Sequence, residues 1–145
     1  MKAHLLSVVF LAMLLPAISC KKDAEENQPA GPTEVTTLEV EYRSTTAVYG
    51  MQYTFRLRFE KVSGVKEYGI VFIPWVGEKS EKTPTVGGKD AILAPFLDKP
   101  AATGTILTSD VTFTFSYFND ANYRAYAVLT DGTVVYGETL HITFT

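Results

Sequence analysis

Large apolar residues alternate with polar residues in several stretches of the chain after position 34. A period of two residues places successive side chains on opposite faces of a β-strand. The alternation therefore predicts strands within residues 37–42, 53–60, 111–117, 123–130, 134–136 and 140–144. In the first stretch the predicted inward residues are Leu38, Val40 and Tyr42. In the second, which has the clearest pattern, they are Tyr53, Phe55, Leu57 and Phe59.

A different pattern, a nearly continuous apolar run, extends from Glu67 to Trp75. Such a run is typical of a central strand that is buried on both faces. Asp131-Gly132 separates two later strands and predicts a hairpin with a type I′ turn. After residue 20 no segment shows sustained helical spacing. Short strands without intervening helices predict an all-β fold, a single antiparallel β-sandwich of about seven strands over residues 35–145.

The first 19 residues have the three-part plan of a secretory signal peptide: a weakly basic start, an apolar run and a small residue before the cleavage point. The apolar run, Leu5–Leu15, is shorter than the roughly 20 residues that span a bilayer. Residues 20–34 are polar, acidic and contain Pro29, Gly31 and Pro32. This composition predicts a flexible tether between the signal and the sandwich.

The four residues Ala17-Ile18-Ser19-Cys20 resemble the lipobox of bacterial lipoproteins, although Ala17 replaces the usual leucine. The resemblance implies that the signal is cleaved between Ser19 and Cys20 and that Cys20 is lipidated. Two or more acyl chains hold a protein firmly to a membrane. The acidic residues that follow Cys20 resemble those of some exported lipoproteins of Bacteroidota. We expect attachment to the outer membrane, either at the cell surface or on the periplasmic face.

Three segments resemble the fibronectin type III-like repeats of surface proteins of Bacteroidota. They are Lys66–Phe72, Tyr123–Val128 and the closing part from Asp131 to Thr145. The resemblance implies a fibronectin type III-like or immunoglobulin-like sandwich. The repeats usually carry a tyrosine three residues before the arginine that corresponds to Arg124, and its hydroxyl ties back a corner of the fold. Here that position is Ala121, so the corner is either shifted to Tyr123 or absent.

Composition excludes several classes of function. The formal net charge is −3, which gives no basic footprint for nucleic acid. A single cysteine cannot form an intramolecular disulfide. After removal of the signal His141 is the only histidine, and we expect it at the surface. This inventory argues against Cys/His catalysis and histidine-rich metal sites.

The remaining candidates for chemistry are weak. Glu39 and Glu41 share one strand face, where two carboxylates are usually just solvated. Val86–Asp90 lacks the spacing of a phosphate-binding loop. A Ca²⁺ site would need several of the scattered loop aspartates, which are Asp90, Asp98, Asp110, Asp120 and Asp131. We expect no catalytic residue, no metal and no cofactor.

Two aromatic residues are the candidates for contact with a ligand. Trp75 follows Pro74 at the end of a strand, where its ring either stacks on a sugar or partner or closes the edge of the sandwich. Phe96 belongs to an apolar cluster outside the alternation, made of Ile92, Leu93, Phe96 and Leu97. This cluster is interpreted as a short strand at the sandwich edge or as an exposed contact patch.

These observations predict a non-enzymatic, lipid-anchored protein of the cell envelope that presents one sandwich as an interaction module. Its partners would be the membrane, through the anchor, and a protein or a glycan. The alternative is a carbohydrate-binding accessory lipoprotein that uses exposed aromatic rings such as Trp75. An exposed row of coplanar rings would favour the alternative.

Overall fold

The computed structural model describes residues 31–46, 50–75, 82–97, 100–113 and 120–144. Predictions for Ser19, Cys20, Asp98 and most of the tether lie outside these residues. Eight strands are present: β1 (Glu34–Thr46), β2 (Gly50–Lys61), β3 (Val65–Trp75), β4 (Ile92–Pro95), β5 (Ile106–Phe113), β6 (Asp120–Leu129), β7 (Val134–Tyr136) and β8 (Leu140–Thr143).

The strands form two antiparallel sheets. The three-stranded sheet has the order β1-β2-β5, and the five-stranded sheet has the order β4-β3-β6-β7, with β8 also pairing with β6. Strand β7 pairs with the second half of β6 and β8 with its first half, so one edge of this sheet consists of two short strands in succession. The predicted antiparallel sandwich is confirmed, and β4 is the strand that the alternation alone does not predict.

The inward face of β2 supplies the centre of the core. Tyr53, Phe55, Leu57 and Phe59 are buried, as their alternation predicts. The Phe55 ring stacks on Phe72 of the opposite sheet, with ring centroids 6.2 Å apart, and meets Tyr123 edge-on at 5.2 Å. The prediction for β3 is also confirmed, because residues 68–73 are buried on both of its faces. Burial of large aromatic side chains between the sheets is the main favourable term that holds them together.

The predicted facing of β1 is partly wrong. Tyr42 was expected inside but is 52% exposed, whereas Thr37 was expected outside and is buried. Three register shifts interrupt the pairing of β1 with β2, one of them between Leu38 and Glu41. A bulge adds a residue to one strand and reverses which side chains face the core. The alternation in the sequence does not reveal where the reversal lies.

Side-chain hydrogen bonds tie β1 to the five-stranded sheet. The Tyr123 hydroxyl donates to the carbonyl of Leu38 at 3.3 Å and accepts from the backbone N–H of Val40 at 3.2 Å. The Thr37 hydroxyl accepts from the backbone N–H of Ala125 at 2.9 Å. Of the two alternatives for the tyrosine corner, these contacts support the one in which Tyr123 takes the place of the missing tyrosine. Its hydroxyl binds the backbone of the first strand, however, and not a loop near it in sequence.

The hairpin between β6 and β7 is confirmed, but its turn is not type I′. A type I′ turn needs a positive φ at both central residues, and in this turn only Gly132 has one, at 87°. The N–H of Gly132 donates to the carbonyl of Leu129 at 3.0 Å, and the N–H of Leu129 donates to Thr133 at 2.8 Å. This pattern fits a three-residue loop with a glycine bulge. The Asp131 carboxylate accepts from the N–H of Thr133 at 2.8 Å, and this bond lowers the pKa of Asp131.

The folded unit begins slightly before the predicted boundary at residue 35. Strand β1 starts at Glu34. The hydroxyl of Thr33 donates to the carbonyl of Ser63 at 2.7 Å and accepts from the N–H of Ser63 at 2.8 Å. Thr33 and Glu34, assigned to the tether, therefore belong to the sandwich.

Gly137 is expected to be essential for the approach of β1 to the end of β7. A Cβ atom at Gly137 would lie 2.6 Å from the backbone nitrogen of Thr37, too close for real atoms. We predict that Gly137→Ala lowers the free energy of unfolding by about 1–3 kcal/mol, as overpacking does. Gly31→Ala is the matched control, because its Cβ would meet only Lys61 at ordinary distances. Equal losses for both variants in denaturant titrations would contradict this role for Gly137.

Tyr123 makes stability sensitive to alkaline pH. Burial raises the pKa of Tyr123 to about 12, compared with about 10 in an unfolded chain. The folded state therefore favours protonated Tyr123, which contributes up to about 3 kcal/mol to the free energy of unfolding. This contribution is complete below pH 10 and is lost as pH rises towards 12.

We predict that Tyr123→Phe destabilises by about 1–3 kcal/mol at pH 7 because two hydrogen bonds are lost. The variant should also lose less stability than the original chain between pH 10 and 12. If the free energies of unfolding of the two proteins fell equally between pH 10 and 12, the pH dependence could not be assigned to Tyr123.

Candidate functional site

The exposed apolar surface is concentrated along β4 and the residues that follow it. We call Ile92–Leu97 the β4 edge, because β4 is the first strand of the five-stranded sheet and pairs with β3 alone. Leu97 is 80% exposed, Ile92 44% and Leu93 40%. In the described part of the chain, the other large apolar side chains that are exposed are Tyr42 and Ile106. The cluster is therefore a short strand at the sheet edge with the two residues that follow it, in which Ile92, Leu93 and Leu97 are exposed and Phe96 is buried.

A cavity of about 130 Å³ opens beside the β4 edge. Its walls are Lys66, Glu67 and Tyr68 at the start of β3 and Pro95, Phe96 and Leu97 at the end of β4. The Phe96 ring is 5% exposed and packs against Tyr68, with ring centroids 5.7 Å apart. Phe96 thus forms a wall of the cavity from within the core. The volume is close to the roughly 150 Å³ of a protein cavity that holds a benzene molecule, so one apolar side chain fits.

The backbone of the β4 edge has little capacity to pair with another strand. The N–H of Phe96 donates to the carbonyl of Tyr68 at 2.9 Å, so alternate residues, including Leu93 and Pro95, direct their backbone groups away from β3. Pro95 has no N–H to donate. The N–H of Ala91 is already bonded to the carbonyl of Gly88 at 3.2 Å. A proline at an outward position is a common protection of an edge strand.

Two opposite charges lie at the cavity. Lys66 and Glu67 both have exposed side chains. The Glu67 carboxylate accepts a hydrogen bond of 2.7 Å from the hydroxyl of Tyr126, a residue with no exposed surface. Burial and this contact with Glu67 raise the pKa of Tyr126. Tyr126 therefore fixes the position of one carboxylate oxygen.

Trp75 lies elsewhere, at the far end of β3, and is 8% exposed. One face of its ring stacks on His141, with ring centroids 5.1 Å apart and an angle of 24° between the planes. His141 is exposed, as predicted, and its Nε2 atom lies 3.1 Å from the Asp120 carboxylate. The Trp75 indole N–H is buried and has no hydrogen-bond partner among the residues that the structure describes. Of its two interpretations the structure supports the one in which the ring closes the sandwich edge, because stacking on a sugar needs an exposed face.

The segment 82–91, here called the strap, crosses the outer face of the five-stranded sheet. Asn122 donates to the carbonyl of Lys82 at 3.0 Å, and the Arg124 guanidinium donates to the carbonyl of Pro84 at 2.5 Å. The same guanidinium lies 3.6 Å from the ring centroid of Tyr136. In the sequence this stretch offered only Val86–Asp90, which lacks the spacing of a phosphate-binding loop. The fully buried Pro84 and its contact with Arg124 have no local sequence signal, because they depend on residues 40 positions apart.

Several of the described carboxylates make local contacts. Glu41 pairs with Arg56 at 2.5 Å, Asp110 accepts from Thr54, and Asp90 pairs with Lys82 at 3.5 Å. No group of three or more potential metal ligands occurs among the residues that the structure describes. In the same residues no helix is long and apolar enough to cross a bilayer. The β4 edge and its cavity are therefore the surface feature that calls for an explanation.

Comparison with known proteins adds no relative: no family model, no curated protein and no solved structure matches the chain.

The two neighbouring apolar residues Phe96 and Leu97 should differ sharply in their effect on stability. Phe96→Ala removes a buried ring, and we expect a loss of about 3–5 kcal/mol in the free energy of unfolding. Leu97→Ala removes a side chain that is 80% exposed, and we expect a change within about 0.5 kcal/mol. Denaturant titrations measure both. A loss at Leu97 as large as that at Phe96 would mean that Leu97 belongs to the core rather than to a surface.

Proposed function

We propose that this chain is a non-enzymatic, lipid-anchored protein of the cell envelope that presents its β-sandwich as a protein-interaction module. The anchor is Cys20, whose surroundings resemble a lipobox. Thr33 already contacts the sandwich through Ser63, so a tether of about 12 residues, 21–32, joins the anchor to the fold. Such a tether reaches about 20 Å on average and keeps the sandwich near the membrane without rigid attachment.

The single observation that carries the interaction role is the apolar β4 edge with its cavity. Exposed apolar side chains clustered beside a concave site are typical of protein-interaction surfaces. The outer face of the three-stranded sheet offers a contrast, because ion pairs such as Arg56–Glu41 and Arg58–Glu60 cover it. Exposed pairs of this kind contribute little to binding or stability. The β4 edge is therefore where a partner would gain most from burial.

The topology supports the proposed kinship with fibronectin type III-like repeats. The segments that carry the resemblance lie side by side in one sheet, because Lys66–Phe72 is part of β3, Tyr123–Val128 is part of β6, and β6 pairs with both β3 and β7. Such sandwiches commonly serve as display and adhesion modules. This kinship is an argument from architecture, and the function rests on the surface.

The carbohydrate-binding alternative has less support. It requires exposed aromatic rings, and the two candidates, Trp75 and Phe96, are buried. Of the described aromatic residues Tyr42 is strongly exposed, and its ring meets Tyr53 edge-on at 5.4 Å rather than joining a coplanar row. The cavity beside β4 is lined by the buried rings of Tyr68 and Phe96, which leave little exposed ring surface for a sugar.

We predict that attachment to the membrane depends on Cys20. The full chain, produced in a bacterial host that processes lipoproteins, should fractionate with membranes and incorporate labelled palmitate. Cys20→Ala should lose both properties, because no other residue can carry the thioether. Lys21→Ala is the matched control and should keep both. A Cys20→Ala protein that still incorporated palmitate and still fractionated with membranes would refute the anchor.

A further inference from the structure

The surface beside β4 contains both halves of a contact. Leu97 projects into solvent, and the cavity that could receive a side chain of its size lies directly beside it. The described residues that line this cavity include a cation, Lys66, and an anion, Glu67. A surface that carries a projection and a recess, together with both signs of charge, is complementary to itself. Self-complementarity is the requirement for a two-fold symmetric interface, in which each copy uses the same patch.

The backbone of the β4 edge argues against an extended peptide as the occupant. A peptide that adds to a sheet gains its affinity from a series of main-chain hydrogen bonds. Pro95 lacks a donor, and the N–H of Ala91 is bonded within the chain, so the series is interrupted on both sides of Leu93. A partner must therefore be held by side chains, and the side chains available here match one another.

We propose that two copies of this chain associate through the β4 edge about a two-fold axis. Leu97 of each copy enters the cavity of the other, and Lys66 of each copy faces Glu67 of the other. Tyr126 holds the Glu67 carboxylate in place through its hydrogen bond of 2.7 Å, so Tyr126 is a positioning residue for the charged contact. The inference rests on the proposed interaction role of this surface and is independent of the lipid anchor.

The size of the surface implies weak association in solution. A few exposed residues on each copy form an interface well below the roughly 1,200 Å² typical of stable complexes. Confinement of both copies to one membrane raises their effective concentration and favours the pair without any new contact. The dimer is therefore expected to be reversible, and it should be detectable in solution between about 10 µM and 1 mM.

Charge exchange between copies provides the sharpest test. The full chain is purified in a density-matched detergent, and its mass is followed by sedimentation equilibrium across that concentration range. Lys66→Glu and Glu67→Lys should each raise the dimer dissociation constant about tenfold, since each replaces two attractive contacts by repulsive ones. An equimolar mixture of the two variants should associate at least as well as the original chain, because every charged contact in the mixed pair is attractive. Lys89→Glu changes the same charge on the strap and should have an effect of less than twofold.

The apolar contact is tested by a second pair of variants. Leu97→Glu should raise the dissociation constant at least tenfold, because a carboxylate would have to enter the apolar recess. Ile106→Glu places the same charge at an exposed residue of β5 and should change it by less than twofold. Circular dichroism verifies that both variants keep the fold.

A full chain that sediments as a monomer at every concentration would overturn the proposal, whether the surface binds another protein or nothing. The proposal would also be overturned if the mixture of Lys66→Glu and Glu67→Lys associated no more tightly than each variant alone. Palmitate incorporation at Cys20 would persist in either case, so this failure is distinct from failure of the anchor.

Discussion

The contact between β2 and the two central strands of the opposite sheet is the interaction on which the rest of the structure depends. Phe55 lies at its centre, stacked on Phe72 of β3 and in edge contact with Tyr123 of β6. All three residues are almost or fully buried, so neither sheet could keep its apolar face out of water without the other. Small domains have few such contacts to lose, and the aromatic share of the core supplies much of their stability.

The sandwich is closed on one side and open on the other. On the closed side β1 is fastened to β6 by Tyr123 and Thr37, which satisfy backbone groups across the gap between the sheets. On the open side β4 and β5 are the edge strands of their sheets. The described contacts include no side-chain hydrogen bond that joins these two strands. The specific inter-sheet hydrogen bonds therefore lie at one edge, and most of the exposed large apolar residues, with the exception of Tyr42, lie at the other. This asymmetry supports the proposed binding role of the β4 edge.

Much of this architecture can be predicted from local patterns. The inward face of β2 and the double burial of β3 follow from period-two alternation and from a continuous apolar run. The facing of β1 cannot be predicted in the same way, because a bulge between Leu38 and Glu41 shifts its register and leaves no mark in composition. The same limit applies to the strap and to Trp75. Their burial depends on Arg124 and His141, residues distant in sequence that only the folded chain brings near.

The sequence indicates only one part of the site at the β4 edge, because the other part comes from a strand distant in sequence. The cluster Ile92–Leu97 stands out because it is apolar outside the strand alternation, but the cavity also needs Lys66 and Glu67, which local patterns assign to the start of a central strand. Antiparallel pairing of β3 with β4 brings these two segments together.

The absence of a donor at Pro95 has a consequence for association between copies of the chain. An unprotected sheet edge can recruit a second edge, and the strand left outermost can recruit a third, so association of this kind has no natural end. Pro95 and the internally bonded N–H of Ala91 interrupt that ladder at its first step. Contact through side chains around a closed symmetry axis stops at two copies. The same short strand can thus keep an adhesive surface exposed while resisting growth of the protein into fibres.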